Sequence, residues 1–328
     1  ILDTIWVKNE LDTFYLKGST AATWIDYDSQ GYLLAEIKEP NKTTEAWFAQ
    51  FASGKGLADM KQALALLSGE YPNNPLTKKA INNAISHDFF DLRLQGLSAM
   101  TASLLFEAKF KEEQLLFFLK NDNNSKVRAK AIELYRLNYT PKNVEDYSSE
   151  LSSDSSYAVL QSVIKNGIIA KDTLAVLTFC NAHEKDENEE LRMQIAQAYS
   201  ELGDYSHLTF FKNNFYKIGA YKQAGFLYLN SQLLLKVDRT DELMSGYSVF
   251  QKTLLQSNSN WIKSSAANSL KAFYIAAKED VDAQEKTNED SPTEENKTKL
   301  EEFQMRLDAI TATINKILNQ EKNIQVLE

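Results

Sequence analysis

Three arginines mark the middle of this chain at nearly even intervals, and each opens the same local pattern. The segments are Asp91-Leu92-Arg93-Leu94-Gln95-Gly96, Ser125-Lys126-Val127-Arg128-Ala129-Lys130-Ala131 and Glu189-Glu190-Leu191-Arg192-Met193-Gln194-Ile195. Each sets an acid or serine, an aliphatic residue and an arginine ahead of a small or apolar residue three positions on. Ser155-Ser156-Tyr157-Ala158-Val159-Leu160 repeats the register without arginine. Markers at 93, 128, 158 and 192 give steps of 35, 30 and 34 residues. That period suits a repeat of two helices. A single helical hairpin cannot bury its apolar face alone, so such units must stack. The intervening helices supply the partner stripe: Leu115, Leu116, Phe118 and Leu119, then Leu174, Val176 and Leu177, then Leu208, Phe211 and Phe215. The arginines read as structural tethers to a neighbour's acid or carbonyl.

Composition agrees with helices. The 328 residues include 11 Gly and 5 Pro, well below the roughly 12% that these two types usually contribute together. So few turn-formers argue against a sandwich or barrel. Helical spacing runs from Trp47, Phe48 and Phe51 in 44–51 to Leu57, Met60, Ala63, Leu64 and Leu67 around 58–67. Tyr71-Pro72-Asn73-Asn74-Pro75 breaks the pattern, and Thr77 is expected to cap the next helix. Ile262, Ala266, Leu270, Phe273 and Ala277 share one face of a helix over 262–278.

The net charge is −9, of which residues 279–302 carry −7, from ten acids and three lysines. With Ser291-Pro292 inside it, this stretch is expected to form an acidic loop near 279–298. Leu300, Phe303, Leu307, Ile310, Ile314 and Ile317 then keep a heptad seam. It predicts a last helix folded back on 262–278; a coiled-coil dimer through Leu300–Ile317 is the rival. The acidic balance argues against nucleic-acid binding. No apolar run reaches the roughly 18 residues needed to span a bilayer.

Residues 1–42 differ. Thr4–Val7, Thr13–Leu16, Thr23–Tyr27 and Tyr32–Ile37 are aromatic and β-branched, separated by Asn9-Glu10, Lys17-Gly18-Ser19 and Asp28-Ser29-Gln30-Gly31. They predict a small β module. Few strands with no second layer make a poor core, so this module is expected to lean on something larger. The expected fold is therefore mainly α: a HEAT-like helical-hairpin superhelix over 43–328, preceded by the β module over 1–42.

The chemistry-bearing residue types form no catalytic pattern. His87, His183 and His207 make no H-E-x-x-H and share no i, i+4 pair for zinc. His183-Glu184-Lys185-Asp186-Glu187 starts such a motif but lacks the second histidine, and reads as a solvated charge run. Cys180 precedes His183 by three residues, but a nucleophile needs an orienting third group and a pocket; a buried structural thiol is expected. The lone cysteine rules out a disulfide framework. Gly54-Lys55-Gly56 lacks the phosphate-loop pattern. The acceptor patterns at Asn41, Asn138 and Asn296 carry no weight in an Asn-rich chain. No catalytic, cofactor-binding or metal-binding residue is assigned, and the peptide-contacting residues stay unassigned.

Ala22-Thr23-Trp24-Ile25-Asp26-Tyr27-Asp28, then Gly31-Tyr32-Leu33-Leu34, Lys38 and Thr43-Thr44-Glu45-Ala46-Trp47-Phe48-Ala49-Gln50 resemble a junction in the zinc aminopeptidases of the aminopeptidase N (membrane alanyl aminopeptidase) family. There the last strands of a β-sandwich lead into a C-terminal superhelix of HEAT-like pairs. Asp26 stands where that family usually has Asn. The resemblance implies a non-catalytic C-terminal region, starting from Ile1 rather than Met because it is a piece of a longer polypeptide. It would cap the active site of a catalytic domain of the same polypeptide and gate access of peptide N-termini. Zinc would lie in that catalytic domain, with no cofactor in this chain, in a bacterial cytoplasm or periplasm. The alternative is a stand-alone HEAT-like scaffold for a protein or peptide.

Overall fold

The structure is a computed structural model of the 328-residue chain. It describes residues 42–53, 56–100, 112–139 and 144–320, with Trp6, 8–10, 12–15 and Ile25 from the N-terminal segment. The four expected strands fall largely outside these residues. At Asn9-Glu10 a turn is in place: the Asp12 carboxylate accepts from the backbone N–H groups of Lys8 and Asn9 and from the Asn9 amide.

Everything else described is helical. The first compact unit, Ile1–Lys111, holds α1 (Thr44–Ser53), α2 (Leu57–Glu70), α3 (Pro75–Ile85) and α4 (Phe90–Ala99). They form two hairpins, with α1 on α3 and α2 on α4. Trp47, Phe51, Leu64, Leu67, Ile81 and Leu97 make its core. Asn74, not Thr77, caps α3: its side chain accepts from the Leu76 N–H, and Pro75 takes the first helical position, where no amide is needed. Thr77 is fully buried and donates to the Leu67 carbonyl. Gly96 lets α4 lie close to α3, since a Cβ there would meet the Ile85 backbone nitrogen at 3.0 Å.

The second unit, Glu112–Glu328, runs as α5 (Glu112–Asn121), α6 (Ser125–Asn138), α7 (Val144–Leu151), α8 (Tyr157–Ala170), α9 (Thr173–His183), α10 (Glu189–Leu202), α11 (Leu208–Asn214), α12 (Ala220–Leu234), α13 (Thr240–Gln256), α14 (Asn260–Asp290) and α15 (Glu294–Gln320). Each odd helix from α5 to α13 pairs with its successor. The even helices pack in sequence, α6 on α8, α8 on α10, α10 on α12 and α12 on α14. The division at 111/112 falls within the span expected as one helical domain.

The repeat is visible atom by atom. The helix starts preceded by Gly56, Phe89, Asn124, Ser156, Asn188, Gly219 and Ser259 stand 33, 35, 32, 32, 31 and 40 residues apart. Two residues ahead of five of these caps, a side chain accepts the cap's own N–H: His87, Asp122, Asp154, Asp186 and Ser257. Four residues past three of the caps sit the arginines, each donating to the carbonyl of that same turn residue: Arg93 to His87, Arg128 to Asp122 and Arg192 to Asp186. This fixes the turn before each helix, because the guanidinium holds an otherwise orphaned acceptor. The register also corrects the spacing: the residue equivalent to the arginines is Leu160, not Ala158, and the steps become 35, 32 and 32.

Successive pairs are tied by a second recurring bond. The sixth residue past a cap donates to the carbonyl of the fifth residue past the preceding cap: Gln95 to Lys61, Ser162 to Ala129 and Ser265 to Ala224. Core residues alternate along the pairs: Leu115 and Leu119, Ile132 and Tyr135, Val163 and Ile164, Phe179 and Cys180, Ile195 and Tyr199, Phe211 and Phe226, Phe250 and Leu270. Leu174, expected in a buried stripe, is 77% exposed; Val176, Phe179 and Cys180 carry the buried face of α9.

The expected acidic loop is a helical arm. α14 continues to Asp290, and α15 starts at Glu294 after Ser291-Pro292-Thr293. Val281 and Gln284 extend the buried face of Ala277, and Gln284 donates to the Asn296 carbonyl across the turn. Nine of the ten acids are exposed, so their charge stays hydrated while the helix pairs behind them; Glu302 alone turns in to Thr240 and Arg306. The turn is closed by the Thr293 hydroxyl accepting from Asn296 and by the Asn296 amide donating to the Ser291 carbonyl. The seam of α15 is used within the chain: Ile310 and Ile317 are buried, and α15 packs on both α13 and α14. Arg306 donates to the Thr240 hydroxyl, the Asp238 carbonyl and Glu302, pinning the turn ahead of α13.

Candidate functional site

The histidines and the lone cysteine are placed as follows. His87 Nδ1 accepts from the Phe89 N–H in the α3–α4 turn. His207 completes a capping box with Asp204 in the short 3-10 turn Tyr205–His207. His183 stacks on Phe179, ring centroids 4.7 Å apart, and its Nε2 is buried with no hydrogen-bond partner. Cys180 is fully buried on α9; burial, and then the Glu184 carboxylate, push its thiol well above the usual range. The Tyr199 hydroxyl donates to the Glu184 carboxylate at 2.7 Å and lies 2.6 Å from the Asn181 amide oxygen, and burial together with that carboxylate raises its pKa strongly. A buried thiol with a raised pKa and a half-buried histidine tilted against a phenyl ring do not form an activated nucleophile pair. Among the described residues no group of three or more His, Cys, Asp or Glu could hold a metal ion. One consequence is measurable: Cys180 should react with a thiol reagent at least ~100-fold more slowly in the native chain than in denaturant. Equal rates would show that α9 does not bury it.

The arginines are likewise absorbed. Arg128 adds to its turn bond a two-pronged pair with Asp154 of the next repeat, Nε–Oδ2 and Nη2–Oδ1 both 2.9 Å. Arg192 spans to the Lys217 carbonyl. Of the phosphate-loop scrap, Gly54 and Lys55 lie outside the described residues and Gly56 precedes α2. Among the possible glycan acceptors, the Asn138 and Asn296 amides both donate to backbone carbonyls.

No family model, no curated protein and no solved structure matches this chain. The site must therefore be read from the surface. Large exposed apolar groups gather at one end of the last two pairs: Tyr216 (64% exposed), Tyr221 (83%) and Trp261 (59%). They sit where α11 turns into α12 and where α13 turns into α14. Tyr221 and Trp261 have ring centroids 6.3 Å apart, and the Lys252 ammonium lies 5.2 Å over Tyr216. Such a cluster is a candidate contact surface. Sequence reading missed it because the three aromatics lie on different elements. The usable signal was charge: residues 205–237 and 243–278 hold four lysines each and no acid. Among the described residues no helix is long and apolar enough to cross a membrane.

Proposed function

We propose that this chain is the non-catalytic helical region of a zinc aminopeptidase of the aminopeptidase N family, acting by shape. A superhelix of pairs would close over a catalytic domain of the same polypeptide, admit the N-termini of unfolded peptides and exclude folded protein. The supporting observation is continuity: the segment that resembles the family's junction ends at Gln50, inside α1, and repeating helix pairs begin with that helix. Gln50 itself is 1% exposed. It accepts from Lys42 and donates to the Asp59 carbonyl and Gln62, which welds the junction to the first pair. The exposed aromatics at the ends of the last pairs favour a second reading, a scaffold that holds a protein or peptide without a catalytic partner.

The test is the coding sequence directly upstream together with the activity of its product. The first reading expects H-E-x-x-H followed about twenty residues later by a zinc-ligating Glu. The intact polypeptide should then hydrolyse an unstructured peptide but spare a folded protein with a free N-terminus. Removing this chain should abolish that discrimination. An upstream sequence without the motif, or turnover of an aminoacyl-anilide by the purified chain alone, would overturn it.

A further inference from the structure

Charge is sorted along the second unit. The acid-free stretches 205–237 and 243–278 are followed at once by the ten acids of 279–302. The fold sets most of the acids at the far end of α14 from Trp261; at the Trp261 end, Glu189 and Glu190 are engaged with the Gly219 N–H and Lys222. Lys212 in the last turn of α11, Lys217 in the 3-10 turn Phe215–Lys217 and Lys252 near the end of α13 are exposed at the end that carries Tyr216, Tyr221 and Trp261. Glu279, Asp282, Glu285, Glu289, Asp290 and Glu294 are exposed on the arm.

The geometry points to docking of the arm of one copy onto the lysine and aromatic patch of another. α14 itself separates the two within a molecule. Trp261 lies at its start and Asp290 at its end, in a continuous helix of 31 residues, so about 44 Å of rise keeps the arm tip from its own patch. A second copy has no such restraint. Carboxylates on the arm meet ammonium groups on the patch. The arm's exposed Lys286 and Lys297 are the kind of group that settles over tyrosine and tryptophan faces. The occupant is a second copy because the matching sign, on an ordered helical surface, is present in the same chain. The contact joins unlike surfaces, so association is head-to-tail. It does not depend on the aminopeptidase reading.

The test is sedimentation of the full 328-residue chain over a concentration series, at about 0.03 M and about 0.3 M salt, where the screening length falls from roughly 18 to roughly 6 Å. Reversible self-association at low salt is expected, weakened at least ~10-fold at the higher salt. Lys212→Glu with Lys217→Glu and Lys252→Glu should leave a monomer, as should Glu285→Lys with Glu289→Lys, Asp290→Lys and Glu294→Lys. All seven side chains are exposed, and circular dichroism should show both variants folded. Mixing the two variants should restore association, because each reversed surface now finds its opposite. A wild-type monomer at low salt, or association untouched by both reversals, would overturn the proposal. So would a monomer whose patch retains a poly-glutamate peptide, which would assign the patch to an acidic partner protein.

Discussion

Replacing Phe226 with alanine should lower the stability of the second unit by about 4 kcal/mol. Phe226 lies on α12 and is 1% exposed. Its ring meets Phe211 at 5.1 Å and Phe210 at 6.2 Å, and Phe210 in turn stands edge-on to Tyr199 at 5.2 Å. Those rings come from α10, α11 and α12, so the cavity would open where two successive pairs join. Truncation loses the transfer free energy of a phenyl group and the dispersion contacts of the rings around it. Helices tied by their own turn bonds cannot collapse far enough to refill the space. Tyr228, two residues on along the same helix and 58% exposed, is the control: Tyr228→Ala should stay within about 0.5 kcal/mol. Urea midpoints for the two variants decide the matter, and similar losses would mean that the aromatic cluster is not the core.

The second large effect is at Arg128 and Asp154. Arg128→Ala should cost about 3 kcal/mol, and a double-mutant cycle with Asp154→Ala should return a coupling of about 2 kcal/mol. Their side chains are 14% and 9% exposed, so removing one leaves the other's charge largely cut off from water. The bidentate geometry also fixes orientation, which makes Arg128→Lys a poor substitute. Asp154 further accepts the Ser156 N–H, and Arg128 holds the Asp122 carbonyl. One ion pair therefore couples the turns of two successive repeats. The contrast is Lys120–Glu150 at 2.8 Å, whose Glu150 side chain is 57% exposed; its coupling should fall below about 1 kcal/mol. Equal coupling for the two pairs would remove Arg128 from its role as a joint.

The helices were legible where apolar spacing was clean. The helix expected over 44–51 is α1, and Ile262, Ala266, Leu270, Phe273 and Ala277 are all buried on α14 as their spacing implies. Repetition showed itself because an arginine at the fourth position past a cap is a large, distinctive side chain. It slipped by two residues in the repeat that lacks one: Ala158 mimics the local composition, whereas the informative residues are Asp154 and Ser156, which build the turn. The arm was misread because charge density was weighed above periodicity, although Ala277, Val281 and Gln284 keep a 4, 3 step through the acids. The aromatic patch was legible only as a lack of acids, since Tyr216, Tyr221 and Trp261 stand on three separate elements.

The way α15 lies over both α13 and α14 bears on how such an array lengthens. Each earlier even helix packs on the next even helix, so a duplicated pair inserted among α5 to α12 inherits apolar partners on both sides. The flank of the final pair is already occupied by α15 and pinned by Arg306. Gene duplication can therefore lengthen the stack between existing pairs, while the Arg306 clasp keeps α15 seated on the pair α13 and α14 in each longer descendant.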